Sequence, residues 1–408
     1  MPVPGQVSGE TGPAPRRVLA FRAGQLGDMM VSVPALWAVR RHWPEAKLTL
    51  LCDVHPGRNY VLATDIFGGT GLCDDLEHYE VPAAGEARLR TALRQLRLLV
   101  RLRARRFDAL VYLAPSIRLP AQVRRDVRFF RLAGLRRIYG ADHFPPVPIK
   151  QPGQPFPVGE HEADLLLARL QADGISVPAR GQGSLDLRLG EAEAVAVARW
   201  QATLPPDGGR VWLGVGPGSK MPAKRWPLER FGEVVRNLVT RHDVWPVVFG
   251  GSEDRASGDR LLAGWGRGYN AAGALSVRAS AAALRQCALY LGNDTGTMHL
   301  AAAAGTPCVA VFSARDWPGA WYPYGVAQRV FRTDIECEGC YLEACVERKN
   351  ECLNRISVAQ VLAGCESLMD QQAWASRGRS HRHRQAVIQS RFLKHAPSSA
   401  PVGRQFLA

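Results

Sequence analysis

Three short segments hold the residue types that do acid–base and phosphate chemistry, and each follows a predicted strand, where open parallel sheets bind ligands. In Ala23-Gly24-Gln25-Leu26-Gly27-Asp28, two glycines allow a tight turn before Asp28 opens a helix. As an N-cap alone this carboxylate would stabilise the helix by about 0.5–2 kcal/mol. At the mouth of a strand–loop–helix it can also serve as a general base. In the second segment, Gly216, Gly218 and Ser219 leave backbone N–H groups open to an anion, and Lys220, Lys224 and Arg225 follow closely with positive charge. Neither GxxxxGK[ST] nor GxGxxG occurs there, and a solvated basic loop would have the same composition. The third segment is the sharpest. Asn293-Asp294-Thr295-Gly296 turns out of a strand into a helix of small residues, whose positive dipole end is an anion site. Thr295 offers a hydroxyl, Gly296 an unobstructed backbone, and His299 shares the mouth with Asp294.

Positioning these groups requires strands and helices in alternation, and the sequence supplies them. Aliphatic runs at 17–22, 47–52 and 109–113 read as strands, with helices over 28–43 and 86–106. The second helix places Leu89, Leu93, Leu96 and Val100 on one stripe, expected to face the core, and covers the rest with arginine. Six prolines in 144–160 interrupt the pattern. Helices at 160–173 and 191–203 follow, and alternation restarts with strands near 211–215, 246–249, 289–292 and 308–312 and helices at 228–241, 252–263, 279–286 and 298–304. The pattern predicts an α/β chain of two units: a tail (1–15), a first domain (16–190), a second domain (208–355), a helix (356–375) and a disordered basic tail (376–408).

The 408 residues carry 52 Lys+Arg against 37 Asp+Glu, a formal net charge of +15. It is concentrated: residues 86–137 hold 15 arginines and 3 acids, and 376–408 add +7, leaving −4 for the remainder. Such blocks suit a nucleic acid, an anionic membrane surface or a phosphorylated acceptor; a solvated arginine-rich face is the plainer alternative. The opening residues lack a signal-peptide core and no apolar run reaches membrane-spanning length, so a cytosolic protein with reduced thiols is expected. Cys337, Cys340, Cys345 and Cys352 fall within sixteen residues, a spacing that suits a structural zinc or iron; four thiols packing a loop is the alternative.

In order, FRAGQLGDMM, GVGPGSKMPAKRWPLERF, FGGSED and GNDTGTMHLAAAAGTPCVAVF followed by WYPYG resemble glycosyltransferase family 9, the ADP-heptose:lipopolysaccharide heptosyltransferases, over about residues 16–365. The resemblance implies a GT-B architecture, two Rossmann-like domains facing across a cleft, with an N-terminal acceptor domain and a C-terminal donor domain. It also implies inverting transfer without a catalytic metal, and no Asp-x-Asp pair occurs in the chain. Matched onto the motifs, Asp28 becomes the base that deprotonates the acceptor hydroxyl and Lys224 the group that neutralises the departing diphosphate. Gly218, Ser219, Thr295 and Gly296 would bind the phosphates, while Asp294 and His299 organise the donor loop or touch the donor. Glu253, or Asp254 beside it, would reach the ribose or sugar. Arg22, Arg97 and Arg101 are assigned to an anionic acceptor surface. The implied partners are ADP-heptose, an anionic glycolipid or glycan and the cytoplasmic face of the inner membrane, with no nucleic acid. Cysteine clusters recur in relatives, and an iron-binding finger is associated with an autotransporter-modifying branch. Three alternatives stand beside this reading: a family 9 transferase with another sugar or a protein hydroxyl acceptor, a nucleic-acid-binding protein, and a sugar-nucleotide-binding protein without turnover.

Overall fold

A computed structural model describes residues 13–371 apart from 57–60, 83–84 and 147. The predicted basic tail at 376–408, residues 372–375 and residues 1–12 lie outside the described residues.

The first domain is built on β1 (Arg17–Phe21), β2 (Lys47–Val54), β3 (Asp75–Glu80), β4 (Ala109–Tyr112) and β5 (Arg137–Tyr139). They form an all-parallel sheet in the order β3-β2-β1-β4-β5. Its helices are α1 (Leu26–His42), α2 (Ala63–Phe67), α3 (Arg88–Ala104), α4 (Pro120–Leu132) and α5 (Glu162–Ala172). β1, β2 and β4 are covered on both faces, which is why they read as unbroken aliphatic runs rather than alternating ones. β3 and β5 are polar edge strands with no such run, and sequence periodicity does not reveal them.

The second domain repeats the plan. β6 (Trp212–Gly216), β7 (Trp245–Val248), β8 (Tyr269–Asn270), β9 (Cys287–Asn293), β10 (Cys308–Val311) and β11 (Gln328–Phe331) pair in parallel in the order β11-β10-β9-β6-β7-β8. α6 (Glu191–Gln201) leads into it from the first domain, and α7 (Leu228–His242), α8 (Arg255–Trp265), α9 (Val277–Leu284), α10 (Gly296–Ala303), α11 (Glu351–Asn354) and α12 (Val358–Gln371) complete it. In each sheet the strand order reverses beside the first strand, between β1 and β4 and between β6 and β9. This is the doubly wound Rossmann-like arrangement, which opens a crevice at the carboxyl ends of the strands. The two crevices face each other.

The segment from 144 to 190 ties the domains together. His161 bonds the Tyr322 carbonyl at 2.9 Å, and the Tyr324 hydroxyl donates to Asp164 at 2.6 Å. Arg278 of α9 donates to the carbonyls of Ile66 and Leu187, each at 3.0 Å, and holds Glu193 at 2.7 Å. α1 and α10 also pack against each other, with Gly296 at the start of α10 close against Leu26 at the start of α1.

One expectation is reversed. The stripe Leu89, Leu93, Leu96 and Val100 does not face the core: these side chains are 73%, 46%, 54% and 59% exposed. The surface beneath α3 is the polar edge strand β3, which offers carboxylates rather than an apolar face. α3 therefore docks with Leu98, Leu99 and the buried Leu102 inward and with its arginines on those carboxylates. No helix among the described residues is long and apolar enough to cross a membrane.

Candidate functional site

A cleft of about 320 Å3 lies between the domains, walled by Gln25–Asp28 on one side and by Gly218–Met221, Lys224, Glu253, Asp254, Asp294–Thr297, His299, Arg315 and Asp316 on the other. The three sequence segments thus converge on one space.

Asp28 is the third residue of α1 rather than its cap. Its Oδ2 accepts from the Gln25 N–H at 2.9 Å, which closes a capping box and fixes the carboxylate at the cleft mouth. Gly24 precedes it at φ +133°, where a Cβ would lie 2.3 Å from the Asp28 Cγ, so only glycine fits. The other carboxylate oxygen takes a hydrogen bond from Arg22 at 3.1 Å. Burial pushes the Asp28 carboxyl above its ordinary value, and the Arg22 guanidinium opposes that rise without cancelling it. A quarter of the side chain remains open to the cleft. A partly desolvated carboxylate, oriented at two oxygens and open to a ligand, has what a general base needs.

Arg22 itself is a correction. Expected on an anionic acceptor surface, it has no exposed area: it lies between Asp28 and Glu162, 3.6 Å from the latter, and donates to the Leu113 carbonyl at 2.7 Å. It holds the Asp28 carboxylate from behind. Arg97 is exposed, and Arg101 bonds the His78 carbonyl and pairs with Glu77 at 3.3 Å. Both line a separate cavity of about 780 Å3 between α3, α4 and β3, away from the cleft.

On the donor-side wall, Asn293 staples the second and third segments, accepting from Trp226 N–H at 3.1 Å and donating to the Pro217 carbonyl at 2.7 Å. Gly216 and Gly292 leave room for Tyr290, whose hydroxyl pairs with Thr297 at 2.8 Å; a Cβ at either position would strike that hydroxyl. Thr295 starts α10 without capping it through its side chain, and Thr295, Gly296 and Thr297 at this helix N-terminus line the cleft. Lys224, in a 3-10 turn (Pro222–Lys224), lies 2.5 Å from Asp294 and 3.3 Å from Asp316. Burial acts to lower its pKa, but the two carboxylates outweigh it and the ammonium is held above its ordinary value. Asp316, which Arg315 grips at 2.7 Å, was missed by the sequence reading. Its only signal was an unusual FSARDWPGAW stretch.

His299 is buried at the interface, where a Cβ on Gly27 would lie 3.0 Å from its ring. Burial drives its pKa down to about 3, so the imidazole is neutral. Between the two acids of GGSED, Asp254 turns inward under Gly218 and Gly250 and accepts from Gly251 N–H at 3.1 Å, whereas Glu253 stays exposed at the rim. Asp254 thus shapes the loop, and both acids line the cleft.

The four clustered cysteines line one small cavity of about 20 Å3 with Arg348 and Ala223. Burial raises the Cys352 thiol, and Cys337 and Cys345 lie close enough to add to the rise. Among the described residues, though, no three His, Cys, Asp or Glu side chains are grouped to hold a metal ion as they stand. The thiols converge in kind and place, but not in ligating geometry.

Two facing Rossmann-like domains, with Asp28 on one lip of the cleft and the α10 N-terminus on the other, define an α/β architecture of the GT-B type. Residues 180–350 match the model of glycosyltransferase family 9 (heptosyltransferase), so this part of the chain is similar to that family. Lipopolysaccharide heptosyltransferase 2 of Salmonella typhimurium is 32% identical over 111 residues, 25% of this chain and 31% of that protein. The match thus spans about a third of that relative's length. Among solved structures, a family 9 glycosyl transferase from Veillonella parvula superposes with a TM-score of 0.64 at 20% identity, covering 87% of this chain and 97% of its own. The E. coli ADP-heptose LPS heptosyltransferase II gives 0.62 at 19% identity, covering 88% and 99%. At these identities the two structures speak for the fold.

Proposed function

We propose that this protein is an inverting glycosyltransferase that moves a heptose from ADP-heptose to a hydroxyl of an anionic lipopolysaccharide inner-core acceptor, with no metal in the chemical step. The observation that carries the reading is the meeting of Asp28 with Lys224, Thr295 and His299 across one cleft. The Asp28 carboxylate takes the acceptor O–H proton, and the freed oxygen attacks the anomeric carbon. The bond from that carbon to the diphosphate breaks, and ADP leaves with the electron pair. Charge developing on the leaving oxygen meets the α10 N-terminus, Ser219 and Lys224, all fixed before the reaction begins. Because Lys224 is already shared with Asp294 and Asp316, the lysine–carboxylate group is a positioned dipole rather than a bare cation, and Lys220 and the helix terminus supply the remaining positive field. Neutral His299 can donate a hydrogen bond to the donor without adding charge.

The arginine-rich side of the first domain fits an anionic glycan acceptor at the cytoplasmic face of the inner membrane better than a nucleic acid, because the excess is concentrated in residues 86–137, with 15 arginines against 3 acids, while the second domain (208–355) has 18 basic residues against 14 acidic ones. A thermal-shift series of nucleoside diphosphates, followed by turnover with ADP-heptose, tests the reading. Stabilisation by ADP above UDP and GDP supports it, and a UDP preference overturns the donor assignment. For the cysteine loop, the proposal is a structural zinc or iron bound once Cys337, Cys340, Cys345 and Cys352 draw closer together than they stand here. Elemental analysis showing neither metal in the purified protein would remove it.

A further inference from the structure

We propose that the outer face of α3 is an interfacial membrane anchor that seats its apolar stripe in an anionic lipid bilayer. At 100° per residue, Leu89, Leu93, Leu96 and Val100 fall within an arc of about 60° on the helix. All four are exposed, Leu89 at 73%. The fold does not need them there, since the helix is held from the other side by Leu98, Leu99 and Leu102 and by its ion pairs to β3 and Glu86. Arg94 pairs with Glu80 at 3.3 Å and Glu86 at 3.1 Å, Arg101 with Glu77 at 3.3 Å, and Arg105 with Asp75 and Glu77. The usual order for a surface helix, apolar inward and charged outward, is thus inverted along α3. Arg88, Arg90, Arg97 and Arg103, all exposed, flank the stripe, which is the layout of a helix lying in the plane of a bilayer interface.

Charge identifies the occupant. Counting β3 with the block, residues 75–137 still carry 15 arginines against 6 acids. A second copy docking here would oppose two strongly positive faces. The chain's own segment 376–408, with seven basic residues and no acids, is repelled in the same way. An anionic bilayer satisfies both the apolar stripe and the arginines beside it, and Leu132, 64% exposed, extends the apolar surface where Arg103 bonds its carbonyl at 3.1 Å. The inference stands whichever sugar is transferred.

The test is co-sedimentation of the full chain with phosphatidylcholine vesicles, with and without phosphatidylglycerol, at low and high salt. Binding is expected only with the anionic lipid. The double variant Leu93→Ser/Leu96→Ser, which alters exposed side chains alone, should melt at the wild-type temperature yet lose about tenfold in vesicle affinity. Turnover on a soluble acceptor should be unchanged, which separates this proposal from the catalytic one. Vesicle binding that is equal in the double variant would overturn the apolar anchor in favour of charge alone. Absence of binding to either vesicle, or concentration-dependent dimerisation that the double variant abolishes, would overturn the membrane as occupant.

Discussion

Arg22 and Asp28 form a buried-to-exposed relay: the guanidinium, with no exposed area, donates at 3.1 Å to a carboxylate that opens into the cleft. Glu162 shares the same guanidinium, 3.6 Å away. Asp28→Asn keeps the size, can keep one of the two hydrogen bonds that the carboxylate accepts from Arg22 and Gln25, and removes the proposed base, so turnover should fall by about 10²–10⁴-fold while ADP-sugar affinity stays near wild type. Single-turnover kinetics beside calorimetric binding check this; a variant that keeps most of its turnover removes Asp28 from the mechanism.

The same relationship sets a pH dependence. As the proposed base Asp28 must be ionised, and burial holds its carboxyl above the ordinary value, so activity should fall as pH drops through a value higher than that of an ordinary aspartate. Arg22→Lys keeps a charge but loses the fork that spans Asp28 and Glu162, and the acidic limb of the kcat/KM profile should move to higher pH. Arg22→Met leaves two carboxylates without their buried counter-charge and should cost about 3–5 kcal/mol of stability, measured by urea unfolding.

Gly24→Ala should disable the site without touching a catalytic group. The residue sits at φ +133° and its new Cβ would collide with Asp28. Loss of turnover with retained nucleotide binding is the expected pattern, since the donor-side wall lies in the other domain.

Lys224→Ala leaves Asp294 and Asp316 facing each other, which should cost about 3–5 kcal/mol and weaken ADP binding together with turnover. Because the folded pKa of Lys224 is raised above 10.5, its stabilisation is complete below 10.5 and is lost as pH rises through the folded value. An alkaline melting series should show a decline in wild type that is blunted in the variant.

His299 and His161 titrate in the opposite sense. Their folded pKa values, about 3 and about 4, lie below the ordinary 6.5, so the unfolded chain binds more protons as pH falls. Stability is unaffected by them above 6.5 and declines below it. NMR of the ring protons should report neutral imidazoles at pH 6, and His299→Gln should flatten the acid-side melting curve.

Much of this architecture was written in local patterns. Buried parallel strands such as β1 and β9 are near-continuous aliphatic runs because both faces are covered, and the loops after β1, β6 and β9 contain the glycines and polar residues that a ligand edge demands. Asp28, Lys224, Asp294, Thr295 and His299 could be named from those loops. Polar edge strands β3 and β5 could not, since a strand with a single neighbour has no long apolar run to announce it.

What the linear chain determined, then, was the set of elements and the chemistry at their mouths, because periodicity and turn residues act over a few positions. Tertiary structure decided which of those groups share a space. It placed Arg22 behind Asp28 instead of on the surface, because β1 and β4 enclose it. It added Asp316 to Lys224 across 92 positions of chain that no spacing rule links. It turned Leu89, Leu93, Leu96 and Val100 of α3 outward, because the arginines of that helix find carboxylates on the side where β3 lies, a strand only folding brings there.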